Sequence, residues 1–149
     1  MDQPLYRRIL LPTDGAELSQ RAILAGVAFA REVGAEVVGL TAIPGFHVLS
    51  ADPDMVEDTA EQYEEASRER ARRMLDEVDS AARAAGVPCR LEQAVSDHPW
   101  EAIVDTAERL GCDLIVMASH GRRGVKSLLL GSETQKVLVN STIPVLVHR

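Results

Sequence analysis

The chain has 149 residues, 46% hydrophobic and 26% charged, and its 16 basic and 23 acidic side chains leave a formal net charge of −7. That length makes one ordinary domain, able to bury roughly 68–70% of its unfolded surface without a metal or a disulfide staple. The acidic balance argues against nucleic acid or an anionic membrane as the main partner.

Met1-Asp2-Gln3-Pro4 lacks the basic and apolar regions of an export signal, and the longest apolar runs fall far short of the ~18 residues of a membrane span, so a cytoplasmic protein is expected. Cys89 and Cys112 form no Cys-x-x-Cys pair and are expected to act as small buried hydrophobes.

In chain order, Ile9-Leu10-Leu11 ended by Pro12 is a first buried strand, and Thr13-Asp14-Gly15 supplies a turn. Leu18, Ile23, Val27, Ala30 and Val33 then lie near helical spacing, which predicts a helix from Glu17 to Val33 with Gly34 as its stop. Asp14 and Glu17 have the spacing of a capping pair for that helix. Ala35 to Ala42 is a second strand. Pro44 to Val56, broken by Pro44, Gly45 and Pro53, is the longest loop, a lid or a surface loop.

A long helix is predicted from roughly Glu57 to Ala85. Ala60, Tyr63, Ser67, Ala71, Met74, Val78, Ala82 and Ala85 form one face, and Glu64, Glu65, Arg68, Arg72, Arg73 and Asp76 a solvated one. Cys89 to Val95 is a more polar strand, suited to a sheet edge. Asp97-His98-Pro99 opens a helix carrying Trp100, Ile103, Val104, Ala107 and Leu110, closed by Gly111. Leu114 to Ala118 is a fourth strand, a helix restarts at Gly131-Ser132 toward Asn140, and Ile143 to Val147 makes a fifth strand. This alternation defines an open parallel α/β sheet with right-handed crossovers.

The stretch from Leu114 to Asn140 organises the rest. A strand empties into a loop containing Gly121 and Gly124, and the next helix points its first amides back at the strand end, an arrangement that binds anions. From Ser119 to Ser132 there are three basic residues, Arg122, Arg123 and Lys126, and no acid. A cationic loop on an acidic chain points to a small anionic ligand such as a nucleotide phosphate. The competing reading is a solvated loop with ordinary capping, since Ser132 and Gln135 have the spacing of a capping box.

Ligands of such sheets bind beyond the carboxyl ends of the strands, where strand order reverses. Pro12-Thr13-Asp14, Ala42-Ile43 and the cradle would converge there. This fits an adenine nucleotide whose ribose hydroxyls donate to Asp14 while the cradle amides hold the phosphates. A P-loop is excluded, because Gly124-Val125-Lys126-Ser127 interposes a valine, and so is a dinucleotide fingerprint, because only Gly15 follows the first strand. No catalytic residue is assigned: Ser119 and His120 are neighbours without a third partner, and His47, His98 and His148 are scattered.

Ala118-x-x-Gly121, nine residues, then Gly131-Ser132 resembles the Gly-x-x-Gly, nine-residue gap, Gly-Ser/Thr motif of ATP-binding universal stress proteins. Ile9 to Asp14 resembles that family's first strand and aspartate, His98 to Ile103 the opening of its third helix, and Pro144 to Val147 its closing strand. The resemblance implies a Rossmann-like domain over residues 1–149. It would have a five-stranded parallel sheet in order 3-2-1-4-5, ATP at the strand ends and homodimers formed along the last strand.

By position, Asp14 would meet the ribose and the Ala42 backbone the adenine. Ala118, His120, Gly121, Gly131, Ser132 and Thr134 would surround the phosphates and any magnesium or manganese. Pro12, Thr13, Met117, Arg122, Arg123 and Glu133 complete the candidate nucleotide-binding set. The chain departs from the motif at Ala118, where glycine is usual, and from many relatives at Ala16, where they carry serine. The functions implied are an ATP ligand or switch in a stress response, with a nucleotide-free dimer acting through protein contacts, or a weak ATPase, as alternatives.

Overall fold

The apolar runs around residues 9–11, 37–40 and 114–118, which carry no alternation in sequence, become strands covered on both faces. The structure, a computed structural model, describes residues 3–45, 59–121 and 129–149. Its strands are β1 (Arg8–Pro12), β2 (Glu36–Ile43), β3 (Cys89–Val95), β4 (Leu114–Ala118) and β5 (Val145–His148). Its helices are α1 (Glu17–Val33), α2 (Thr59–Ala85), α3 (Pro99–Arg109) and α4 (Ser132–Asn140). All strand pairings are parallel and the order is β3-β2-β1-β4-β5, the expected 3-2-1-4-5.

Ile9, Leu10 and Leu11 are fully buried because β1 is central and each face has its own helices. Ile9 and Leu11 pack with Val37 and Val116 against Ile23, Val27 and Ala30 of α1 and Val78 and Ala82 of α2. Leu10 packs with Val38, Leu40 and Ile115 on the other face, against Ile103, Val104 and Ala107 of α3 and Val137 of α4. Each such Leu, Ile or Val contributes about 1.5–3 kcal/mol of burial free energy. Among the described residues no helix is long and apolar enough to cross a membrane.

The predicted boundaries shift in a few places. β5 begins at Val145 rather than Ile143, because the Ile143 N–H is taken by Ser141 Oγ at 3.0 Å in a turn. Leu75, which the periodic reading of α2 passed over, is buried at 3% exposure beside Val78. α2 is described from Thr59, so the expected start at Glu57, the expected loop from residue 46 to Val56, and Arg122, Arg123 and Lys126 lie outside the described residues.

Both predicted caps are corrected. The N-cap of α1 is Ala16, with no side-chain cap. Asp14 instead folds back on the turn, its Oδ1 accepting from the Ala16 N–H at 3.0 Å and the Ser19 hydroxyl at 2.8 Å. The N-cap of α4 is Gly131, again without a side-chain cap. Ser132 is already helical, and Gln135 Nε2 donates to the Leu130 carbonyl at 2.9 Å, so the capping box does not form.

Candidate functional site

At the carboxyl ends of β1, β2 and β4 the chain leaves a cavity of about 140 Å³. Its position follows from topology: β1 sends its chain to one neighbour and β4 lies on its other side, so their following loops part and leave a crevice. Pro12, Thr13 and Asp14 line it from β1 and its turn, Ala42 from β2, and Met117, Ala118, His120 and Gly121 from β4 and its loop. Glu133 and Thr134 close it from the first turn of α4. These ten belong to the candidate set. Gly131 and Ser132 do not reach the lining, and Arg122 and Arg123 lie outside the described residues.

Four lining residues escaped the sequence reading: Ser19, Leu40, Pro99 and Ile103. Ser19 stands one turn before Ile23 on the buried face of α1, a spacing that could have revealed it. Leu40 is indistinguishable in sequence from its core neighbours in β2. Pro99 and Ile103 are one turn apart on α3, but their role depends on where α3 packs, which its own periodicity does not contain.

Local hydrogen bonds hold the walls. The Thr13 N–H donates to the Leu40 carbonyl at 2.8 Å, joining the ends of β1 and β2. Thr13 Oγ1 accepts from the Gly15 N–H at 3.1 Å, and Gly15 turns the chain with φ +80°. On the other side Thr134 Oγ1 donates to the Ala118 carbonyl at 2.9 Å, and the Gly131 N–H donates to the Ser119 carbonyl at 2.7 Å. These two bonds fix the start of α4 beside the end of β4. The Ser132, Glu133 and Thr134 amides have no acceptor among the described residues.

Ser119 Oγ lies 3.1 Å from His120 Nδ1. Ser119 is 3% exposed and does not line the cavity, so this pair does not present a nucleophile to a ligand. The described lining carries two carboxylates, Asp14 and Glu133, and one imidazole, His120. Among the described residues no group of three His, Cys, Asp or Glu could hold a metal ion. Cys89 is half-buried and Cys112 buried; burial pushes both thiols from 9.0 to about 11, which suits the inert hydrophobes expected of them.

An open parallel sheet in this strand order, with a pocket at the carboxyl ends of its strands, defines a doubly wound α/β domain. Comparison with known proteins narrows this. The universal stress protein family model matches residues 5–149, and the chain belongs to that family. Universal stress protein MJ0531 of Methanocaldococcus jannaschii is 33% identical over 146 residues, covering 96% of this chain and 82% of that protein.

The solved structure of the hypothetical protein MJ0577, from the same organism, is similar at a TM-score of 0.80 and 31% identity, covering 96% of this chain and 95% of that one. A universal stress protein in complex with cAMP is similar at a TM-score of 0.72 and 28% identity, with 97% of each chain covered.

Proposed function

We propose that this chain is an ATP-binding universal stress protein, its nucleotide a ligand or switch in a stress response and its working form a cytoplasmic homodimer. The observation that carries this reading is the strand-end pocket lined by Glu133 and Thr134 of the first turn of α4, whose amides have no acceptor among the described residues. The cAMP complex of a relative supports an adenine nucleotide as the ligand class.

The enclosed volume of about 140 Å³ is below the ~300–1,000 Å³ of small-molecule sites, which suits a base held between β2, β4 and α3 with the remainder across the open side. In this reading Asp14 accepts from the ribose, and the backbone at Ala42 reads the base. The α4 amides and the loop carrying Gly121, Arg122 and Arg123 meet the phosphates. Magnesium or manganese would enter bound to the phosphates, with the Ser132 hydroxyl as its protein neighbour.

Among the described residues no non-glycine residue has a positive φ, so Ala118, where the motif has glycine, needs no glycine for its backbone angle.

Calorimetry with Mg-ATP tests the proposal on the wild type and on Ala42→Leu, which fills the cavity from β2. Saturable binding by the wild type, lost in Ala42→Leu, is the expected outcome. No binding by the wild type at millimolar ATP would sink it and leave the nucleotide-free dimer. Phosphate release that co-purifies with the protein and disappears in Ala42→Leu would make it a weak ATPase.

A further inference from the structure

We infer that Glu133 positions α3 as the outer wall of the pocket, capping the start of α3 from the first turn of α4. The N-cap residue of α3, His98, makes no side-chain cap, and Pro99 has no N–H to offer. The Glu101 and Ala102 amides donate to the His98 carbonyl at 3.0 and 3.3 Å, which leaves the Trp100 N–H. That amide donates to Glu133 Oε2 at 2.9 Å, across 33 residues of chain. The other carboxylate oxygen, Oε1, lies 3.9 Å from Lys136 Nζ.

One carboxylate thus sits between two helix N-termini, where amides and helix dipoles favour negative charge. It joins the helix that supplies Pro99 and Ile103 to the cavity to the helix that supplies Thr134. A phosphate at the start of α4 would repel this carboxylate, so Glu133 acts on a nucleotide through α3 and not by touching the phosphates. The effect on affinity rests on the proposed nucleotide reading; the clasp between the helices does not.

The test uses the full chain and two variants, Glu133→Ala and Glu133→Gln. Amide hydrogen exchange at Trp100 is followed by NMR without nucleotide, and Mg-ATP affinity is measured by calorimetry. In Glu133→Ala, Trp100 exchange should quicken by about tenfold or more, the scale of a lost hydrogen bond to a charged group, and Mg-ATP should bind more weakly. Glu133→Gln keeps a carbonyl acceptor and should restore most of both.

Unchanged Trp100 exchange in Glu133→Ala overturns the inference. So does a Gln variant that keeps Trp100 protected yet loses affinity as fully as Ala, since Glu133 would then contact the ligand directly. Absence of binding by the wild type would overturn the nucleotide reading alone, and Trp100 exchange would still decide the clasp.

Discussion

A Cβ built on Gly131 would stand 3.2 Å from both the His120 Cα and the Ser119 carbonyl oxygen, and one on Gly121 would stand 2.7 Å from Asp14 Oδ2. Neither glycine has a positive φ, so both are required by close approach and not by backbone angle. At Gly131 the obstacle is backbone that cannot move without the β4 loop. Gly131→Ala should therefore destabilise the fold by about 1–3 kcal/mol in urea unfolding, and any loss of ligand binding would report a displaced loop.

At Gly121 the obstacle is a side chain. Gly121→Ala should displace the Asp14 carboxylate from its bonds to Ala16 and Ser19 and weaken Mg-ATP more than it weakens the fold. The thiols make a further residue-scale prediction. Above pH 9 an unfolded chain releases both cysteine protons while the folded chain holds them to about 11, so the unfolded state binds fewer protons and stability falls between those values. The denaturation midpoint should drop across that window less in Cys89→Ala/Cys112→Ala than in the wild type.

At the scale of elements, α4 separates two explanations of its own start. A Ser132 cap would cost about 1 kcal/mol on removal, whereas a residue making no cap should cost less than about 0.5. Ser132→Ala is expected to leave the urea midpoint nearly unchanged, and a drop on the capping scale would restore the capping box.

The same helix shows what was legible in sequence. Its limits and its direction toward the β4 end followed from glycine spacing, but the choice between Gly131 and Ser132 as N-cap depended on the Gly131 bond to Ser119, a contact the linear chain does not display. Strand order rested on the family resemblance, since apolar runs mark central strands without ranking them. The loops at the ends of β1, β2 and β4 were readable because topology sends them to one place. The α3 wall was not, because its position depends on Glu133 reaching across from α4.

At the scale of the whole molecule the sheet has two unequal edges. β3 carries Arg90, paired with Glu92 at 2.9 Å, and such charges discourage another strand from adding on. β5 is Val145-Leu146-Val147-His148, with Leu146 39% exposed, and the nearby α4 shows Leu138 at 41% and Val139 at 82%. The proposed homodimer would cover the β5 edge in a twofold interface. Light scattering should give a dimer for the wild type at micromolar concentration and a monomer for Leu146→Arg; a monomeric wild type would refute the dimer.

Trp100 is the chain's one tryptophan, half-buried against the core on the α3 face and next to a residue that lines the cavity. The molecule therefore carries its own optical reporter at the pocket wall. Its emission should shift when α3 loosens or the cavity fills, so occupancy can be read on unlabelled protein at a single wavelength with no second indole to subtract.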